Sequence, residues 1–573
     1  MSNLARSSTL FSIACSALVA AAPPRPLLAQ ELDAPTRVRV DSVFRRYDRT
    51  DSPGCAMLVR RDGRTAYARG YGMGSLELGV AISPQTVMDI GSTSKQFTAA
   101  AIWLLAQDGK LGLDDELQKH LPELPRLGAP VTIRHILQHT SGWRDYNDLL
   151  VLGGASEEEA TTATDAMAIL GTQKAGNFAP GSWWTYSNTG FFLASQIVER
   201  VSGMSMRQFV STRIFTPLGM THSDLFDDHN RIFRNKVPSY APSDGGWRVA
   251  VANWEQTGDG AVQTSVEDLA RWDENFDNPT VGGGALVDSL QQPGHLNDGT
   301  PFTYAYGLMV DRYRGLRRVH HGGAWAGYRA MSMRFPEQRT SVYLTCNAAN
   351  ANTMTLAEGV ASAVLGPAMG MTTAERLRDS LRAPSVTTIR PFHGLWFDAA
   401  VGGLTRFIVR DSVLVSTSAF GGPERRWMQL PDGRLIGTPD NETSPRLRFE
   451  PASGQIVVDN ASGPHDRFTK VGEIGTLNSA KLVEYAGRYA TPELPSVWTV
   501  VARGDSLFLT TVSGTRHSRQ TLEPLFADAF HVDRQPLRFV RDARGRVIAI
   551  SVTGRGVRDL RWLRVPPSRG LLP

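Results

Sequence analysis

Lysine is scarce in this chain of 573 residues: Lys95, Lys110, Lys119, Lys174, Lys236, Lys470 and Lys481 are the only ones among 61 basic residues. There is no lysine-rich block, and 56 acidic residues hold the net charge to +5, so the sequence carries no electrostatic footprint for nucleic acid. Three cysteines exclude a fold built on a disulfide framework. No stretch reaches about eighteen uninterrupted apolar residues, so no membrane-spanning segment is expected once the leader described below is removed. The Gly-x-Ser-x-Gly elbow of many hydrolases is also missing. What remains is 41% hydrophobic, 20% charged and 8% aromatic, which excludes wholesale disorder or a fibrous repeat.

Residues 1–29 read as a signal peptide. Arg6 supplies the positive start, Leu10 to Ala22 is apolar and small, and Ala29 precedes the polar Gln30-Glu31. The expected location is therefore exported, either periplasmic or secreted. Cys15 has too little apolar sequence ahead of it for a lipid anchor. Loss of the leader removes Arg6 and Arg25 and leaves a charge of +3. Cys55 and Cys346 then remain, each in a strand-like run. They form either a bridge or two buried thiols.

Ala56–Val59 and Arg64–Ala68 flank Arg61-Asp62-Gly63 and predict a hairpin turned by Asp-Gly. Phe97, Ala101, Leu104 and Leu105 recur at helical spacing, and Gly109 ends that helix. Up to about residue 368, helix-like and strand-like segments alternate. The fold class expected for residues 30–368 is α+β, an antiparallel sheet flanked by helices. A linker is expected over 369–388, around Ala383-Pro384.

Beyond it lies an internal repeat. Phe392-His-Gly-Leu-Trp396 echoes Tyr485-Ala-Gly-Arg-Tyr489, and Arg448-Phe449 echoes Arg538-Phe539. Two all-β modules, each a small barrel or sandwich, are expected at 389–475 and 480–566. Residues 382–573 hold 26 Lys/Arg against 18 Asp/Glu, a charge of +8, so the residues between the leader and this tail sum to −5. The many arginines of the tail read as a solvated face.

Ser92-Thr-Ser-Lys95 places an amine three residues after a hydroxyl at the start of a helix, so both share one face. A serine needs a neighbouring base to become a nucleophile, and a lysine can be that base once its pKa falls well below the usual value. Tyr186-Ser-Asn188 offers a phenol that relays protons and an amide that binds a carbonyl. His321-Gly-Gly323 precedes a strand-like run, and a glycine-rich edge strand leaves N–H groups for an oxyanion. His135 and His139 stand four apart but lack the glutamate of His-Glu-x-x-His, so no metal is expected.

These three elements, in this order, resemble the serine β-lactamase/penicillin-binding-protein superfamily. Val131–Gly142, Pro217–Met220 and Gly258–Trp272 agree, and the likeness spans about residues 35–365. It is nearest to class C β-lactamase-like serine hydrolases, which include D-aminopeptidases and esterases; the two β-modules are similar to those trailing the catalytic domain of D-aminopeptidases. The resemblance implies Ser92 as the acylated nucleophile, Lys95 as its base and Tyr186 as proton relay. It implies Asn188, His321 and Gly323 as substrate contacts, with the N–H groups of Ser92 and Ala324 as the oxyanion hole.

Where relatives carry Lys-Thr-Gly, this chain has His321-Gly-Gly, and a mostly neutral histidine holds a carboxylate less well than lysine. The expected substrate is therefore a small peptide, amide or ester cleaved by an aminopeptidase, amidase or esterase, without a cofactor. A true β-lactamase or DD-peptidase is one alternative. A feebly active homologue that binds an envelope ligand is another. The oligomeric state stays open.

Overall fold

The computed structural model describes residues 31–566 apart from 157, 421, 438–444, 460–465, 473–478, 514–515, 533–534 and 555. The expected leader, 1–29, with Cys15, lies outside the described residues. No helix among those described is long and apolar enough to cross a membrane.

A six-stranded antiparallel sheet organises the first part. Strands β1 (Cys55–Arg61) and β2 (Arg64–Tyr71) form the expected hairpin, with Asp62 and Gly63 at φ 48° and 81°. Then come β3 (Met309–Tyr313), β4 (Leu316–Trp325), β5 (Tyr328–Phe335) and β6 (Thr340–Cys346), in the spatial order β3-β4-β5-β6-β1-β2. Strand alternation sends side chains to two faces. Met57 and Val59 meet helices α1 (Ala34–Val43) and α5 (Thr353–Leu365) on one side. Ala56 and Leu58 meet α2 (Lys95–Gln107), α3 (Asn188–Ser202) and α4 (Val266–Asp277) on the other. Helix α2 buries Phe97, Ala101, Leu104 and Leu105, and Gly109 follows it at φ 70°. Cys55 and Cys346 face each other across β1 and β6, with Cα atoms 4.0 Å apart, and are joined as a disulfide.

The glycine-rich strand is not an edge strand, as the sequence suggested, because β3 lies outside β4. Yet β3 pairs only with Leu316–His320, so His321–Trp325 run past their outer neighbour as a local edge.

The expected linker carries two short helices, Thr373–Leu377 and Val386–Ile389. Arg382 exchanges both main-chain hydrogen bonds with Gln429 of the next module (3.0 and 2.8 Å). Two closed eight-stranded barrels follow, the first from Gly394–Asp398 to Asp466–Val471 and the second from Gly487–Ala490 to Val557–Val565. The repeat read in the sequence has a structural counterpart. In the first barrel the Trp396 indole donates to the carbonyl of Phe392, and in the second the Tyr489 hydroxyl donates to the carbonyl of Tyr485. Several tail arginines lie in exposed ion pairs, such as Arg546 with Asp542.

The second barrel shares its apolar core with the catalytic half. Buried Arg144 and partly buried Glu493 form an ion pair across that junction, Nη1 to Oε2 2.7 Å. Breaking such a pair by removing one partner costs about 3–5 kcal/mol.

Candidate active site

The site forms where three separate segments meet the free end of β4. Gly91–Ser94 make a turn of 3-10 helix that leads straight into α2, which puts Ser92 one turn ahead of Lys95. The Lys95 side chain is fully buried. Its Nζ lies 3.0 Å from Ser92 Oγ, 2.9 Å from Asn188 Oδ1 and 2.7 Å from the main-chain oxygen of Asp259. The last two partners can only accept. The Ser92 hydroxyl is the one partner of the three that can also donate.

Tyr186 ends the loop before α3, and Lys95 Nζ stands 5.0 Å from its ring centre. The Tyr186 hydroxyl is buried with no hydrogen-bond partner among the described residues. An orphaned buried hydroxyl costs about 1–3 kcal/mol. His139 packs on the Tyr186 ring at 4.3 Å, at φ 60°, and its Nδ1 accepts the Ser187 N–H at 3.2 Å. Burial first, then the Lys95 charge, holds the His139 imidazole neutral. His135 stands apart from this cluster, and its ring accepts the Thr132 N–H to close the start of a short helix.

Two glycines bring the β4 edge against the serine. A Cβ on Gly323 would stand 1.8 Å from the Ile90 carbonyl oxygen, and one on Gly91 would stand 2.6 Å from Ala324 N, so neither position admits a side chain. Ala324 and Ser92 therefore share one cleft of about 130 Å³, together with Tyr146, Asn188, Asp259 and Trp325. His321 and Gly323 are not on its lining. The His321 ring is turned into the protein, with Nε2 3.1 Å from the Tyr304 hydroxyl and Nδ1 2.6 Å from the Gly322 carbonyl. Burial, with the Lys95 charge behind it, pushes its pKa down to about 3. His321 thus presents no cation to a substrate.

Three polar residues of the site were not singled out from the sequence. Asp259 is buried, and both its carboxylate oxygens lie 3.1 Å from the Tyr146 hydroxyl. Burial raises its pKa to about 7, against the pull of Lys95. Asp145 accepts the N–H groups of Asn147 and Asn188, so it fixes the first turn of α3. Burial raises its pKa as well. Gly258-Asp259-Gly260 was part of the stretch carrying the resemblance. Arg144-Asp145-Tyr146 had no motif at all.

The second barrel reaches this network. The tip of its last hairpin, at Gly556, accepts the Asp145 N–H at 2.9 Å and donates its own N–H to Asp148 Oδ2 at 2.7 Å. A Cβ on Gly556 would stand 2.2 Å from that of Asp145.

Known proteins share this chain's sequence family and fold. The Penicillin-binding protein 4* of Bacillus subtilis is 30% identical over 306 residues, covering 50% of this chain and 67% of that one. A D-aminopeptidase of Cereibacter sphaeroides is 28% identical over 453 residues, covering 79% of this chain and 82% of its own. Among solved structures, the octameric penicillin-binding protein homologue from Pyrococcus abyssi shares the fold, with a TM-score of 0.52 at 21% identity over 76% of this chain and 99% of that one. The Beta-lactamase family model matches residues 40–364. Inside that span Ser92 lines the cleft, with Lys95 buried against its hydroxyl and the Tyr186 ring behind the amine, off the cleft lining; the chain belongs to the Beta-lactamase family of serine hydrolases.

Proposed function

We propose that this enzyme hydrolyses small amides or esters, D-aminoacyl amides foremost, through an acyl-enzyme on Ser92. The observation that carries the reading is the contact between the Lys95 amine and the Ser92 hydroxyl, 3.0 Å, the one partner of the three able to give up a proton. The freed alkoxide attacks the substrate carbonyl, and the N–H groups of Ser92 and Ala324 hold the oxyanion. Tyr186 hands a proton to the leaving group and later takes one from the water that releases the acyl group. Asn188, its carbonyl held by Lys95, lines the cleft beside Ser92, and its side chain is the group offered to the substrate carbonyl.

The aminopeptidase named in the Cereibacter relative and the neutral His321 favour an amide substrate over one held by a carboxylate at that position. The Bacillus penicillin-binding relative keeps β-lactams among the substrates to try. The test is a panel of D-aminoacyl p-nitroanilides, p-nitrophenyl esters and β-lactams, with fluorophosphonate labelling of the wild type and Ser92→Ala. Turnover and label that both vanish in the variant support the mechanism; label or turnover that survives overturns it.

We infer that the enzyme works outside the cytoplasm. Two features support this, the charged and apolar leader of residues 1–29 and a Cys55–Cys346 disulfide of the kind that persists in oxidising compartments. Sequencing the amino terminus of protein recovered from the periplasm or medium tests it, with Gln30 expected first.

A further inference from the structure

The cleft over Ser92 does not end at Trp325. A second lobe, of about 330 Å³, opens beyond it, and Asp89, Phe226 and Trp325 line both. Its walls are mixed, with the apolar and aromatic Phe233, Val249 and Tyr328 beside Phe226 and Trp325, and polar side chains between them. Three basic side chains reach it, and two are already occupied. Arg231 is paired with Asp227 and with the Leu225 carbonyl, and His229 Nδ1 with Glu255 at 2.6 Å.

The third, Lys236, is not. Its ammonium lies 4.1 Å from the Phe226 ring centre and 5.4 Å from that of Phe233, and no carboxylate stands within salt-bridge distance among the described residues. The carboxylate whose charge it feels is Asp89, which is taken by the Gly91 N–H and the Gln263 amide. The backbone at Lys236 is pinned, since the Val87 N–H donates to Asn235 and the Val237 N–H donates to Val87 (3.1 and 3.3 Å). A fixed, half-buried cation against aromatic faces, short of an anionic partner, is a receptor for a carboxylate on an apolar stem.

We propose that this lobe is a substrate subsite in which Lys236 binds the carboxylate of an aryl or aliphatic group attached to the scissile amide or ester. It rests on the reading of Ser92 only for the direction in which the substrate lies; the binding does not need Ser92 chemistry. It also gives the cleft a cation at a place other than the third motif, where His321 offers none.

Titration calorimetry with 3-phenylpropionate and its neutral amide tests the subsite without any turnover. The wild type and Ser92→Ala are expected to bind the acid more tightly than the amide, and equally well as each other. Lys236→Met should weaken the acid about tenfold or more and leave the amide within about twofold, while Lys236→Arg keeps most of the preference. Val249→Glu is the second variant: Val249 is 45% exposed, so the fold tolerates the change, and its carboxylate should repel the acid from the lobe. Equal binding of acid and amide by the wild type, or undiminished acid binding in both Lys236→Met and Val249→Glu, overturns the proposal. Failure of the panel on Ser92 with the calorimetry intact would strike the hydrolytic reading alone.

Discussion

The main-chain N–H of Asp145 donates to the carbonyl of Gly556, 2.9 Å away, while the Asp145 carboxylate accepts the N–H of Asn188. One residue thus joins the tip of the second barrel to the helix that presents Asn188 to Lys95.

Gly556→Ala puts a methyl group where only 2.2 Å separates it from the Asp145 Cβ, so the segment Arg144–Tyr146 must shift. The expected result is a loss of about tenfold or more in kcat/KM on every substrate in the panel, with fluorophosphonate labelling slowed in step. Unchanged rates would show that the barrel only lies alongside.

Tyr186→Phe removes the unpartnered hydroxyl and keeps the ring that packs on His139. Acylation should slow, and deacylation should slow by about 10²–10⁴-fold, so that acyl-enzyme accumulates and is seen as added mass on intact protein. Lys95→Ala should block labelling as well. A Tyr186→Phe enzyme with wild-type turnover and no accumulated adduct would take the tyrosine out of the mechanism.

Asp259 makes stability depend on pH. Its folded pKa, about 7, stands above the aspartate value of about 3.9 in an unfolded chain. A raised carboxyl contributes its full stability below the unfolded value and loses it as pH climbs through the folded value. Asp259→Asn should therefore gain on the wild type between about pH 4 and pH 7, by up to about 4 kcal/mol, and hold that lead at higher pH. Urea midpoints of the two proteins across this range check it; parallel curves would count against the buried, neutral carboxyl.

The Cys55–Cys346 bond closes a loop of 291 residues inside the central sheet. Replacing both with serine should lower stability by about 2–5 kcal/mol and leave the rate at 25 °C nearly unchanged, because the pair lies on the face of the sheet turned away from Ser92. Denaturant melts with and without reductant measure the loss in the wild type, and the double variant should no longer respond to reductant.

Much of this was legible in the sequence where the signal is local. Ser92 and Lys95 share a helix face by spacing and gained their meaning from Tyr186-Ser-Asn188 and His321-Gly-Gly323 following in order, and the barrels showed themselves because an aromatic residue recurs four positions after another in each copy. What was hidden depends on partners far apart in the chain. Asp148 and Gly556 are 408 residues from each other, and Gly556 looks like any turn glycine until Asp145 is seen against it. The edge character of His321–Trp325 was half legible. Glycine marks a close approach, but how far β3 extends along its neighbour is settled by packing. His321 was read as neutral at a substrate-facing position; it is neutral, and its ring faces Tyr304 instead.

The hairpin that carries Gly556 is gripped from behind as well. Arg558 Nε donates to the Ala400 carbonyl of the first barrel at 3.1 Å, and a Cβ on Gly402 would stand 2.3 Å from the Thr553 carbonyl oxygen. Two modules with the same architecture have thus taken unequal posts, one as buttress and one as finger. Damage to the buttress would be felt at Asn188 through a chain of backbone contacts, whereas the outer strands of either barrel could drift freely. Inherited substitutions in this tail should gather away from Ala400–Gly402 and Thr553–Arg558, so a part that looks like an appendage would evolve there at the pace of a catalytic core.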